Sequence, residues 1–178
     1  MPQNEGEPTE ADRSRAQAYF EQGQLFFTSR RWPRALASFE EALAADPTMV
    51  RAHTARVHTL LFLGRVDEAL AYAHETLERA PDNPYVHSAL GTAYRFVERF
   101  DDARAEFALA LELGPAESPV HYNVACFHAV IGEEDDARRH LARALELEPK
   151  LNTIAAVDED FAAYRESEWF QELVAFKR

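Results

Sequence analysis

Three histidines stand in register, His53, His87 and His121, each 34 residues after the last, and they raise the question of a metal. Register itself argues against one. Equivalent positions in successive helix pairs lie about 10 Å apart, whereas a single zinc needs every ligand near 2 Å. His121 and His128 are separated by two helical turns, about 10 Å along an axis, so they cannot chelate one ion either. The histidines are therefore read as packing residues, with no metal and no cofactor expected. Cys126 lies in the same run, "HYNVACFH". A thiol nucleophile needs an adjacent base and an oxyanion site. The residues one turn away, Tyr122 and Val130, supply no base. The carboxylate pairs Asp101–Asp102 and Asp135–Asp136 stand where helices begin, and the helix dipole accounts for them without acid-base work. No glycine-rich phosphate loop is present, and no catalytic residue is expected.

The elements that carry these residues are periodic. Prolines stand at Pro47, Pro81, Pro115 and Pro149, each 34 residues after the last and each closing an apolar run. Twelve positions before each proline comes an alanine: Ala35, Ala69, Ala103 and Ala137. Four positions before each comes a leucine: Leu43, Leu77, Leu111 and Leu145. A period in this range signals stacked supersecondary units. With the proline at position 32, the repeats run about 16–49, 50–83, 84–117 and 118–151.

Each repeat reads as two helices. Positions 4, 8 and 11 share one face of the first helix, and position 20 pairs with an apolar position 24 on the second. Gly91, at position 8, would cost about 1 kcal/mol relative to alanine within a helix, so it is read as a residue that lets two helices approach closely. Gly64 and Gly132 are expected between helices. Asn83 before Pro84 and Ser118 before Pro119 are expected to cap helix starts.

"LGTAY" at 90–94, the position-20 alanines, Phe39, Phe107 and the terminal prolines together resemble the tetratricopeptide repeat, over about residues 16–151. Two departures stand out. The usual tryptophan at position 4 is Tyr19, His53, His87 and His121, and the usual glycine at position 8 is kept in repeats one and three only. The resemblance implies an all-α solenoid, a right-handed superhelix of four helix-turn-helix repeats whose first helices line a concave groove. It also implies a scaffold or peptide-binding adaptor. "YNVAC" and the later "DEDFAAYRESEWFQEL" are similar to the ends of bacterial arrays, which finish in aspartate-rich capping helices. Residues 152–178 are accordingly expected to cap the array, with Phe161, Tyr164, Trp169, Phe170 and Leu173 covering the apolar edge of repeat four. Residues 1 to about 12 are expected to form a flexible acidic tail.

By the family's pattern the groove would hold Phe20, Gln24 and Phe27 from repeat one, and Arg51, Thr54, His58 and Phe62 from repeat two. Repeat three adds Tyr85, Ser88, Thr92, Arg95 and Phe96, and repeat four Tyr122, Asn123 and Cys126. Such a groove is apolar and faintly basic. The chain as a whole carries 31 acidic against 19 basic residues and a formal charge of −12. That excess repels phosphate backbones and anionic lipid, so neither nucleic acid nor a membrane is an expected partner. The expected partner is a protein or peptide segment, apolar and able to place an acidic group near Arg51 or Arg95. Phe27, Phe62 and Phe96 could instead simply pack against the next repeat. The clamp of basic and asparagine residues that some relatives use for chaperone tails is absent, its places being Phe20, Gln24, Ala55, Tyr85 and Ala89. One cysteine, no signal-peptide pattern at "MPQNEGEPTEAD" and no long apolar run point to the cytoplasm. The alternative to an adaptor is a dedicated accessory or secretion-type chaperone that shields an apolar segment of one partner; an enzyme comes third.

Overall fold

The computed structural model describes residues 7–175. Eight helices form four pairs: α1 (Glu10–Thr28) with α2 (Trp32–Ala45), α3 (Val50–Phe62) with α4 (Val66–Arg79), α5 (Pro84–Phe96) with α6 (Phe100–Leu113), and α7 (Ser118–Val130) with α8 (Glu134–Leu147). The fold is all-α, with no strand among the described residues. The chain divides into two compact units, residues 1–80 and 81–178, so that each holds two helix pairs.

Volume at positions 8 and 24 sets the spacing within each pair. A Cβ on Gly23 would lie 2.5 Å from the Phe39 ring, and one on Gly91 would lie 3.1 Å from the Phe107 ring. In the α3/α4 pair the sizes are exchanged, with buried Val57 at position 8 and buried Ala73 at position 24. The α7/α8 pair uses Ala125 and Leu141, both fully buried. The position-20 alanines, Ala35, Ala69, Ala103 and Ala137, are all 0 % exposed, as close helix approach requires.

Turns repeat as well. Gly64 and Gly132 have φ of 74° and 80°, the left-handed conformation that glycine adopts without steric cost. Arg30 and Glu98 occupy the same repeat position with φ of 56° and 58°, where a Cβ is strained. Of the two expected helix caps, one is present and one is not. The Asn83 side chain accepts from the Tyr85 amide with Pro84 in the first turn, as expected. Ser118, expected as a cap, is instead the first helical residue of α7, because the preceding Glu117 takes the flanking extended conformation. Glu117 offers α7 no side-chain cap, and its carboxylate accepts from the Tyr85 hydroxyl.

The expected amino-terminal tail falls partly outside the described residues. Residues 1–6 lie outside the described residues, but α1 begins at Glu10 because Thr9 and Asp12 form a reciprocal capping box. At the other end, a 3₁₀ turn (Pro149–Leu151), α9 (Asn152–Ala155), a 3₁₀ segment (Glu159–Tyr164) and α10 (Glu168–Val174) follow α8. Phe161, Tyr164, Trp169 and Phe170 join Ala125, Ala129, Ala137 and Leu141 in one apolar cluster, with Leu173 packed against it. The Trp169 indole N–H donates to Glu134 at 2.7 Å.

Two stability outcomes follow from these geometries. Gly23→Ala should destabilise by about 1–3 kcal/mol in chemical denaturation, since overpacking a rigid ring outweighs the gain in helix propensity. Gly91→Ala, with its looser contact, should be nearly neutral; equal losses at both sites would contradict the packing account. Arg30→Gly and Glu98→Gly should each stabilise by about 1 kcal/mol by relieving the left-handed strain, and destabilisation by either would contradict it.

Candidate interaction surface

The position-4 histidines are satisfied core groups. His53 Nε2 lies 2.8 Å from the Pro47 carbonyl oxygen, His87 Nε2 lies 2.7 Å from that of Pro81, and His121 Nε2 lies 3.1 Å from that of Pro115. Each ring thus ties its helix to the proline that closes the preceding repeat. The other nitrogen meets position 23 of the second helix: the Tyr72 hydroxyl at 2.6 Å, Glu106 at 2.7 Å and His140 Nδ1 at 3.0 Å. That partner varies, which is why sequence register alone did not disclose it. His140 also stacks on His128, centroids 5.8 Å apart, while His128 contacts Glu133 at 2.6 Å.

Burial holds the His140 pKa down at about 4, with His121 and Arg139 adding to the effect, and burial likewise lowers that of His53. The unfolded imidazole takes its proton near pH 6.5, but folded His140 resists it until about pH 4. The stability these rings contribute is therefore present above pH 6.5 and lost as pH falls through that window.

Among the described residues, side chains of the types that bind metal converge at two places. Cys126, Asp158 and Asp160 form one group, and His128, Glu133 and Asp136 the other, their ligand atoms within 4.8 Å of one another. An arginine already neutralises a carboxylate in each. Arg95 pairs with Asp160 at 2.7 Å, and Arg104 pairs with Glu133 at 2.8 Å. Hydrogen bonds from Arg104 and then His128 pull the Glu133 pKa down to about 2. Burial, first of all, pushes the Cys126 thiol well above its usual range, opposite to what a nucleophilic thiolate needs.

The first-helix positions expected to bind a partner differ in burial and in their neighbours. Phe20, Thr54, Ser88 and Cys126 are buried. In the first unit, Phe20 packs against Phe39 with centroids 5.7 Å apart. Arg51 sits 4.9 Å over the Phe20 ring and donates to Gln17 at 2.8 Å. Phe27, Trp32 and Phe62 form an aromatic cluster, with Trp32 stacked on Phe62 at 4.8 Å and Phe27 edge-on to Phe62 at 5.4 Å. Phe62 remains 50 % exposed, Gln24 is exposed and His58 is half-buried. Trp32 starts a second helix and was not among the expected site residues. In the second unit, Asn123 donates to the Ser88 hydroxyl at 3.0 Å, and Thr92 donates to the Ser88 carbonyl oxygen at 2.9 Å. Tyr85 and Phe96 are half-buried, and Arg95 lies 5.0 Å over the Phe96 ring.

Arg95, Tyr122 and Cys126 meet an unexpected neighbour, the chain's own carboxy-terminal segment. The Tyr122 hydroxyl donates to Asp158 at 2.7 Å, with the Cys126 Sγ 3.9 Å from the same carboxylate. Phe161 stands edge-on to Tyr122 at 6.0 Å. Arg95 in turn pairs with Asp160 of the same segment.

Helix pairs of this length and spacing define a helix-turn-helix repeat protein. Residues 26–92 match the family model described as tetratricopeptide repeat. Among solved structures, the chain is similar to TTC0263, a thermophilic tetratricopeptide-repeat protein of Thermus thermophilus. Identity is 25 % and the TM-score 0.67, covering 89 % of this chain and 86 % of that one. It is also similar in fold to MamA from Desulfovibrio magneticus RS-1, at 21 % identity and a TM-score of 0.50, with 76 % of each chain covered. No curated protein matches the chain. The chain thus has the all-α repeat fold of tetratricopeptide-repeat proteins, and its residues 26–92 carry the family's pattern. No described helix is long and apolar enough to cross a membrane.

The buried imidazoles give a pH test. Thermal melts should show stability falling from pH 6.5 to 4, and His140→Asn should flatten that slope by about 3 °C or more. An unchanged slope in the variant would show that His140 does not carry it.

Proposed function

We propose that the protein is a non-catalytic, cytoplasmic interaction module that takes a segment of a partner protein on its first-helix face. The tetratricopeptide fold supports a protein or peptide partner. The aromatic cluster of Phe27, Trp32 and Phe62 supports the finer reading most directly. Three rings fix one another edge-on and stacked, and Phe62 still presents half its surface. A preorganised aromatic anchor loses little side-chain entropy on binding, and such anchors dominate interface energies. Arg51, held by Gln17 and the Phe20 ring, adds a cation in a chain of charge −12, suited to orienting an acidic group.

Affinity purification from the native cell tests the reading. Phe62→Ala should weaken partner capture by about 2 kcal/mol or more, and Arg51→Gln should mainly slow association, with its effect vanishing at high salt. Both variants are checked for helicity by circular dichroism. Capture that survives both, yet is lost on substitution of the acidic second-helix faces, would place binding on the opposite surface. A single stoichiometric partner that turns insoluble without this chain would identify the dedicated chaperone rather than the adaptor.

A further inference from the structure

We propose that residues 158–164 are a built-in ligand of the first-helix face in the second unit. A partner engages that face by exchanging this strap for a segment of the same chemistry, two carboxylates one residue apart followed by an aromatic ring. The proposal rests on the first-helix face being the binding surface and goes on to name what it accepts.

The strap's two aspartates and its first ring all meet positions expected to bind a partner. Asp160 pairs with Arg95 at 2.7 Å. Asp158 accepts from Tyr122 at 2.7 Å with Cys126 beside it. Phe161 enters beside Tyr122 and is 0 % exposed. Arg95 is the discriminating residue. Its side chain is only 9 % exposed, so without an opposing carboxylate a nearly buried cation would be left uncompensated. The face therefore demands an anion, and an apolar segment alone cannot replace the strap. The aromatic place is equally defined, because the ring that fills it also closes the cluster against Phe170, 5.5 Å from Phe161. An incoming ring at that place would keep the end of the array covered.

Exchange is favoured by how the strap is built. It is a 3₁₀ segment, whose hydrogen bonds are poorly aligned, and its Glu159, Ala162 and Ala163 face solvent. Val157, 62 % exposed, precedes it, and a turn at 165–167 separates it from α10. The Asp160 carboxyl has its pKa raised by burial, so the site holds this carboxylate against a desolvation cost that Arg95 offsets.

The test uses the full-length chain and a labelled peptide of residues 157–166, with a scrambled peptide as control. In Asp158→Asn/Asp160→Asn, hydrogen exchange over 158–164 should rise at least tenfold while helicity and α10 protection persist. That variant should bind the peptide at least tenfold more tightly than the wild type. Adding Arg95→Gln should abolish the gain. The single variant Asp160→Asn, which keeps the Tyr122 bond, should show the same effects more weakly, and it serves should the double variant fail to fold. Unchanged strap exchange, or peptide binding no tighter than wild type, overturns the proposal. Binding that resists Arg95→Gln but is lost with Arg51→Gln also overturns it, while leaving the first-helix reading intact with the site in the first unit.

Discussion

Close approach of two helices within each repeat is the constraint on which the rest depends. The gap admits one small and one large side chain at positions 8 and 24, and the chain fills it as Gly23 with Phe39, Val57 with Ala73, Gly91 with Phe107, and Ala125 with Leu141. The second pair exchanges the sizes. Summed volume is therefore what the packing preserves, rather than a glycine at a fixed place. Once the gap is set, position 4 of the first helix comes within hydrogen-bond reach of position 23 of the second.

Histidine at position 4 follows from a second need. The proline that ends each repeat leaves its carbonyl beyond the helix, where no intrahelical donor reaches it. An imidazole supplies that donor with one nitrogen and uses the other for the second helix, so one flat ring satisfies two elements. An indole at this position has a single N–H and could serve only one of them. Polarity in the core thereby links successive elements with direction.

Much of this was legible in the sequence because the period is local chemistry repeated. Proline at position 32, alanine at 20 and the small residue at position 8 of repeats one and three each report a helix end or a helix contact within a few tens of residues, whereas the exchange of sizes between positions 8 and 24 showed only in the packing. Arg30 and Glu98 hid the left-handed turn that Gly64 and Gly132 revealed, since the backbone there is set by the two flanking helices rather than by residue type. Ser118 looked like a cap because serine before proline usually is one, yet the helix starts a residue earlier. The face expected to bind was only half legible. Periodicity can say which side of a helix a residue takes, but not that Asp158 and Asp160 return to it across 36 and 65 residues.

That return also reconciles an acidic chain with an apolar, faintly basic face. A cation on a concealed surface attracts carboxylates from any source, and the nearest are always those of the same chain, present at high effective concentration. Arg95 has been met in this way by Asp160, whereas the hydrogen bond of Arg51 goes to the neutral Gln17. The two units thus differ in electrostatic state although their helices follow one plan. In the second, a desolvated ion pair fixes the orientation of the strap and the buried Phe161 ring supplies the apolar contact. In the first, Arg51 and an aromatic cluster of which Phe62 is half-exposed supply the same two kinds of group, with no strap of this kind among the described residues. A cation beside aromatic rings is thus met by the chain's own carboxylate in one unit and by a neutral amide in the other.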